Sequence, residues 1–366
     1  MAERIRVAYT IMQLWHRVPG GTATSTLELA RALRSTGEVD LIGVAPAGPL
    51  PPPPWTPPIP FRRVHLPYQL VYDAWHHLRR PGVERRTRAQ VVHATAATVP
   101  PRQSAPLVVT IHDLFPLQTP EQFTPRGVRL LTRGIELARS DADLVICPSR
   151  ATLEDCVAAG FDRDRLRLVP WGVTVAPVAD AERQRVRARY QLDNPYVLWV
   201  GTIEPRKNLP MLLDAFRGLG ARAEQLVLVG PPGWNESLDE HLVGLGHRVR
   251  RLGFVPSGDL AALYAEARLF CFPSTREGFG LPPLEAMARS TPVLVSADTA
   301  MSEVIGDGGL SVPADDVQAW SSAMMAVLDD PALAQRLSTE AVARAAEFTW
   351  ELAARRTIDV YRELVA

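Results

Sequence analysis

Short apolar runs recur along the whole chain, and between them apolar positions fall at three- and four-residue spacing. The runs predict strands at 5–11, 39–44, 91–94, 107–111, 144–147 and 166–169, then at 196–200, 226–229, 249–252, 269–272, 292–295 and 310–312. The helical spacing covers 24–33, 127–138 and 150–158 in the first half, and 209–219, 259–267, 284–288, 318–328 and 332–346 in the second. Nearly continuous apolar runs, as in the second half, suit strands covered on both faces, and strands alternating with helices make parallel βαβ units. A last amphipathic stretch, 350–364, carries Leu352, Ile358 and Tyr361 among its apolar positions.

With 366 residues the chain is too long for one ordinary core, and two α/β domains are the natural division. The segment 171–180 (WGVTVAPVAD) and the charged stretch behind it to 189 read as the linker. The expected boundaries are 1–172, 173–349 and a final helix, 350–366, packing back on the first domain. The proline-dense segment 46–60 reads as a stiff surface excursion, with a proline-recognition ligand as the alternative. Open parallel sheets bind ligands beyond the carboxyl ends of their strands, so two such halves place a crevice between them.

Charge changes the picture in two places. Forty basic and forty acidic residues balance, which argues against nucleic acid as the partner. Within that balance 62–88 holds seven arginines against Asp73 and Glu84, with Trp75 and Leu78 at helical spacing. This is either a solvated basic segment or a patch for an anionic surface such as a membrane carrying a lipid-diphosphate acceptor. Of the 40 basic residues one alone is lysine, Lys207. A lysine kept where arginine is the rule marks a site that needs a compact point charge. Cys147, Cys156 and Cys271 show no metal-ligand spacing and read as small core residues in a reduced compartment. No apolar run reaches the ~18 residues of a membrane span and no signal peptide is recognisable, so the chain reads as cytoplasmic.

The chemistry-bearing segments follow strands. After LFCFPS comes STREGFGLPPLEAMA, in which Glu277 and Glu285 bracket Gly278, Phe279, Gly280 and Leu281. Glycines let a backbone approach a ligand, a helix start suits phosphate, and flanking carboxylates suit sugar and ribose hydroxyls. Glu285 is expected in the first helical turn. After YVLWV comes GTIEPRKNL, whose Arg206 and Lys207 stand where cations can stabilise a departing diphosphate. The macrodipole disfavours cations at a helix start, which favours a ligand as the reason for them. His112 and Asp113 follow LVVTI, and His93 ends another strand. The loop PGGT, with Gly20 and Gly21, precedes a helix but is not a dinucleotide fingerprint; a plain tight turn is its other reading.

The Glu277-to-Glu285 segment resembles the Glu-seven-residues-Glu signature of the retaining glycosyltransferases of family four. The resemblance extends through PGGTATSTLELARAL, VVHATAATVPP, TIHDLFP, LVPWGV and GTIEPRKNL, and its wording is nearest to bacterial mannosyltransferases that build O-antigen and related polysaccharides. It implies a GT-B fold: two Rossmann-like α/β domains with parallel sheets facing across a cleft, acceptor domain first and nucleotide-sugar domain second. It also implies roles. Arg206 and Lys207 bind the donor phosphates with Glu204 near them, while Glu277 and His112 hold the sugar. Glu285 and the 278–281 loop complete the donor site, Gly230 and Phe254 line the base pocket, and Gly20 and Gly21 let the first domain approach the phosphates or the acceptor. Asp113 and His93 fall on the acceptor side, and Glu303 matches a helix near the base pocket or is a surface residue. One departure is Thr202, where many family members carry arginine.

The implied reaction moves a hexose, mannose favoured, from a nucleotide diphosphate sugar, GDP-mannose favoured, to a hydroxyl of a glycan, a lipid-linked acceptor or a small molecule. No cofactor and no metal are expected, since Asp315–Asp316 and Asp329–Asp330 stand outside the motifs. A non-catalytic sugar-nucleotide sensor on the same fold is the rival, and the retained cations and histidine argue against it. A phosphorylase needs a cofactor lysine besides the one assigned.

Overall fold

In the computed structural model, which describes residues 4–16, 19–233 and 237–365, the chain forms two compact units, Met1–Gly172 with Thr349–Ala366, and Val173–Phe348. The first unit is built on seven parallel strands: β1 Ile5–Thr10, β2 Val39–Ala47, β3 Phe61–Pro67, β4 Val91–Ala94, β5 Leu107–Thr110, β6 Leu144–Cys147 and β7 Leu166–Leu168, in the order β3-β2-β1-β4-β5-β6-β7. The second has six: β8 Tyr196–Val200, β9 Gln225–Val229, β10 Val249–Gly253, β11 Leu269–Phe272, β12 Val293–Ser296 and β13 Leu310–Val312, in the order β10-β9-β8-β11-β12-β13. Strands β4, β5, β6, β11 and β12 are buried at every residue, as their largely apolar sequences require. In each sheet the strand order reverses beside the first strand, between β1 and β4 and between β8 and β11. That switch point splays the connections apart and opens a crevice at the carboxyl edge.

Three elements differ from the expectations. Strand β3 lies in what the sequence presents as a basic segment. It is an edge strand with only Val64 buried, so its Arg62, Arg63 and His65 hide the strand signal. Asp180–Tyr190, expected as linker, is a helix with a single buried residue, Val186. Asp259 organises it, accepting from Arg185 at 2.6 Å, Arg189 at 2.9 Å and the Tyr190 hydroxyl at 2.9 Å. Trp75 and Leu78 do not share a face: Trp75 is fully buried and Leu78 is 73% exposed. The segment 50–60 connects β2 to β3 without regular structure, and Trp15 Nε1 donates to the Pro49 carbonyl at 2.8 Å beside it. All three cysteines are buried with free thiols.

The helix Trp350–Val365 returns to the first unit, where Tyr361 is fully buried and its hydroxyl lies 2.7 Å from His93 Nδ1. Trp350 stacks on Trp171 at 6.2 Å, and a Cβ on Gly172 would collide with the backbone of Trp350.

Three imidazoles of this unit are kept neutral. Burial pushes His93 down to about 3, with His112 adding to the effect. Burial, with Arg79 beside it, lowers His76 to about 4, and burial lowers His112 to about 4 against its bond to the Thr95 carbonyl. Each folded value lies below the ordinary 6.5. As pH falls through 6.5 the unfolded chain therefore takes up protons that the folded unit refuses, and stability drains away until the folded groups titrate. Melting temperature should hold above pH 6.5 and fall steadily from there towards pH 4. A flat profile over that interval in a thermal-shift series would contradict this.

Candidate functional site

The connections leaving β8 and β11 meet at the switch point of the second unit. Gly201 follows β8, and Gly230 follows β9 with φ 137°; a Cβ on Gly230 would run into the Gly201 carbonyl, so glycine is required for the two strand ends to approach. After Glu204 the chain makes one 3-10 turn, Pro205–Lys207, passes through Asn208 at φ 53°, and enters the helix Leu209–Arg217. The Asn208 amide donates to the Ala314 carbonyl at 2.8 Å, fixing that left-handed residue. The backbone N–H of Thr275 donates to the Arg206 carbonyl at 2.9 Å, and Arg206 Nη1 donates to the Arg276 carbonyl at 2.8 Å. The two loops are thus stitched together before any side chain of the site is counted.

Between them lie two cations and two carboxylates. Glu277 Oε1 is 2.6 Å from Lys207 Nζ and 2.6 Å from Arg206 Nη1, and Arg206 Nη2 donates to Glu204 Oε1 at 2.5 Å. Lys207 is buried, its ammonium 4.8 Å from the centre of the Phe272 ring. Burial works to raise Glu277, but Arg206 and Lys207 outweigh it and hold the carboxyl down at about 2. Burial and the neighbouring guanidinium lower Lys207. Glu277 therefore keeps its charge at neutral pH, with Arg206 and Lys207 as its counter-ions.

Farther along the same connection, Phe279 is buried edge-on to Phe348 at 5.9 Å, and Gly278 and Leu281 are half-buried. Gly280 takes φ 111° at the start of the helix Leu281–Met287. Glu285 falls one residue past the first turn of that helix, not within it. Burial raises its pKa, and the Tyr264 hydroxyl donates to Oε2 at 3.0 Å. Phe254, just beyond β10, is 72% exposed, an aromatic face open to solvent. Sequence reasoning missed Tyr264 and Phe272. Phe272 could have been found as the last strand residue before the motif, whereas Tyr264 lies on a helix 21 residues upstream of its partner and carries no local signal.

In the first unit, Gly20 and Gly21 are exposed at the start of the helix Gly20–Thr36, one turn earlier than the apolar spacing indicates. His112 stands half-buried after β5, its Nε2–H donating to the Thr95 carbonyl at 2.9 Å and its ring 5.7 Å from Trp171. Its own carbonyl accepts from the Thr152 hydroxyl at 3.3 Å. Asp113, half-buried beside it, accepts from the Phe115 N–H at 3.3 Å. His93 is a correction. It is fully buried, with Tyr361 on Nδ1 and Thr110 on Nε2 at 2.9 Å, so neither nitrogen is left for an acceptor. Among the described residues no group of three or more His, Cys, Asp or Glu side chains is placed to hold a metal ion. No helix among them is long and apolar enough to cross a membrane.

Two family models match the chain: "Glycosyltransferase Family 4" over residues 19–176 and "Glycosyl transferases group 1" over 180–344. O-antigen chain mannosyltransferase B of Escherichia coli is 33% identical over 304 residues, 80% of each chain. D-inositol 3-phosphate glycosyltransferase of a Nocardioides species is 30% identical over 335 residues, 82% of this chain and 73% of its own. The Anabaena protein HepE, solved with UDP and glucose, superposes with a TM-score of 0.76 over 99% of this chain and 100% of its own, at 18% identity. With both halves matched and the two parallel-sheet units in place, the chain belongs to the family 4 glycosyltransferases and has their GT-B fold.

Proposed function

We propose that this glycosyltransferase moves mannose, with retention of anomeric configuration, from GDP-mannose to a hydroxyl of a glycan or lipid-linked acceptor. The observation that carries a nucleotide diphosphate donor is the pairing of Arg206 and Lys207 at the switch point, where charge can be stabilised as it develops on a leaving group. In the reaction the bond from the sugar's anomeric carbon to the diphosphate oxygen breaks, and the electron pair leaves with the phosphate. The acceptor oxygen bonds to the anomeric carbon on the same face, and its proton passes to the departing phosphate oxygen. Arg206 and Lys207 take the leaving charge, Glu277 and His112 hold the sugar, and Glu285 holds the ribose. Gly20, Gly21, Glu204 and Gly278–Leu281 frame the phosphates, and Gly230 and Phe254 take the base, Phe254 by stacking. Asp113 serves the acceptor. Mannose is favoured because a mannosyltransferase is the 33% identical relative, and HepE with UDP keeps a uridine donor as the competing choice.

A transfer assay across GDP-mannose, UDP-glucose, UDP-N-acetylglucosamine and dTDP sugars, run in excess chelator, tests this directly. GDP-mannose should be the donor used and the chelator should be without effect. Turnover with a uridine donor alone, or activity restored by magnesium or manganese, would overturn the respective part.

Lys207 is the sharper test of mechanism. Lys207→Ala should lower kcat by about 100-fold or more, as removal of a charge-stabilising donor does. Lys207→Arg should also be impaired, because a planar guanidinium cannot sit as a point charge between the Phe272 face and Glu277. Full activity of the arginine variant would remove the charge-shape argument.

The lipid-linked acceptor is supported by Arg62, Arg80, Arg85, Arg86 and Arg88 of one basic stretch, all exposed, with Leu70 51% and Leu78 73% exposed nearby in sequence. Arg79 does not belong to that exposed set. It donates to the carbonyls of Trp75, Val99 and Pro100 and pairs with Asp141 at 2.5 Å. At about 1 kcal/mol for each basic residue near anionic lipid, five suffice for reversible attachment. Co-sedimentation with phosphatidylglycerol vesicles at low salt should fall when Arg80, Arg85, Arg86 and Arg88 become glutamine, and Arg79→Gln should instead lower melting temperature. Binding unaffected by the four changes would favour a soluble acceptor.

A further inference from the structure

The cations proposed to receive the donor's diphosphate already have counter-ions. Arg206 and Lys207 carry two positive charges, Glu204 and Glu277 two negative ones, and the cluster sums to zero. One atom, Glu277 Oε1, sits 2.6 Å from both cations. It holds the point that the two cations share, so a phosphate oxygen bonded to both at once would compete with it. The Phe272 ring covers another side of the ammonium, and Glu204 holds the far side of the guanidinium. A diphosphate oxygen that bridges both cations as Oε1 does displaces the Glu277 carboxylate, and a displaced, largely buried carboxylate needs a new partner.

A sugar-bearing donor supplies that partner in its hydroxyls, whereas a bare nucleoside diphosphate does not. We propose that Glu277 is an exchangeable counter-ion that makes the site prefer the sugar-bearing nucleotide over the spent one: it leaves Arg206 and Lys207 for a sugar hydroxyl when donor binds and returns to them after transfer, expelling the nucleoside diphosphate. The inference rests on the donor reading above. It accounts for a difficulty in that reading. The diphosphate gains charge as the glycosidic bond breaks, so a fixed dicationic site would hold the product more tightly than the substrate. A carboxylate that competes only once the sugar has gone removes that trap. Glu204 plays a different part, since its carboxylate pairs with Arg206 and keeps the guanidinium aimed while Glu277 exchanges.

Titration calorimetry on the full chain tests the exchange, using GDP, UDP, GDP-mannose, UDP-glucose and inorganic pyrophosphate with wild type, Glu277→Gln and Glu277→Asp. Glu277→Gln should bind the cognate nucleoside diphosphate at least about tenfold more tightly than wild type, given the strength of close charge pairs. The matching nucleotide sugar should gain much less, and product inhibition of residual turnover should rise. The aspartate variant keeps the charge but is one methylene shorter, so it cannot hold both cations and should show the same change in smaller measure. It also serves should the glutamine variant fail to fold, as judged by melting with and without saturating pyrophosphate. Nucleoside diphosphate affinity that is unchanged or weakened in folded variants overturns the exchange while leaving the donor reading intact. No nucleoside diphosphate binding by wild type or either variant overturns the donor reading itself.

Discussion

A parallel sheet covered on both faces has little room for polar side chains along its strands, so its chemistry is pushed to the edge where the strands end. The second unit obeys that constraint. Strands β11 and β12 are buried at every residue, and polarity begins within two residues of their ends, at Ser274 and Ser296. The reversal of strand order between β8 and β11 then decides which connections become neighbours. Gly201–Lys207 and Ser274–Glu277 lie side by side because β8 and β11 pair, though about 70 residues separate them in sequence. The bond from Thr275 N–H to the Arg206 carbonyl is the backbone's share of that meeting, and Glu277 with Arg206 and Lys207 is the side chains' share.

How much of this could be read from the chain follows from what each element buries. The interior strands declare themselves because nearly every residue is apolar, and the helix Arg150–Ala158 does so through its Ser149 cap, which accepts from the Thr152 N–H at 3.0 Å. The edge strand β3 and the helix Asp180–Tyr190 bury one residue each and have no such pattern to show. Arg206, Lys207 and Glu277 were legible as chemistry because their charges follow apolar runs, and the lone lysine singled out Lys207. Their mutual contact was not legible, since it depends on strand order. His93 misled for the same reason. A histidine at a strand end looks like a ligand contact until the helix Trp350–Val365, from the far end of the sequence, brings Tyr361 to its ring.

Polar groups sealed inside the first unit are of another kind from those at the switch point. His93, Thr110 and Tyr361 satisfy one another, and Thr10 and Thr95 do likewise, with Thr95 Oγ1 donating to the Thr10 carbonyl at 2.7 Å. Such closed networks specify one arrangement of sheet and helix. The Glu277 cluster is closed as well, but its members are held by loops, and charge rather than neutral hydrogen bonding holds it together. Closed neutral networks resist rearrangement, whereas an ion pair can be exchanged for another of equal charge.

The path of the chain has a consequence for its architecture. It leaves the first unit at Gly172 and re-enters at Thr349, and at that crossing the Val173 N–H donates to the Phe348 carbonyl at 3.0 Å while Gly172 packs against Trp350. The second unit is therefore an insert whose two ends are one hydrogen bond apart. That is the geometry in which a domain can be spliced into or lifted out of a host without stretching either, because closing the gap needs almost no chain. Residues 173–348 could be excised as a self-contained cassette and the host resealed from Gly172 to Thr349, leaving each parallel sheet with all of its own strands.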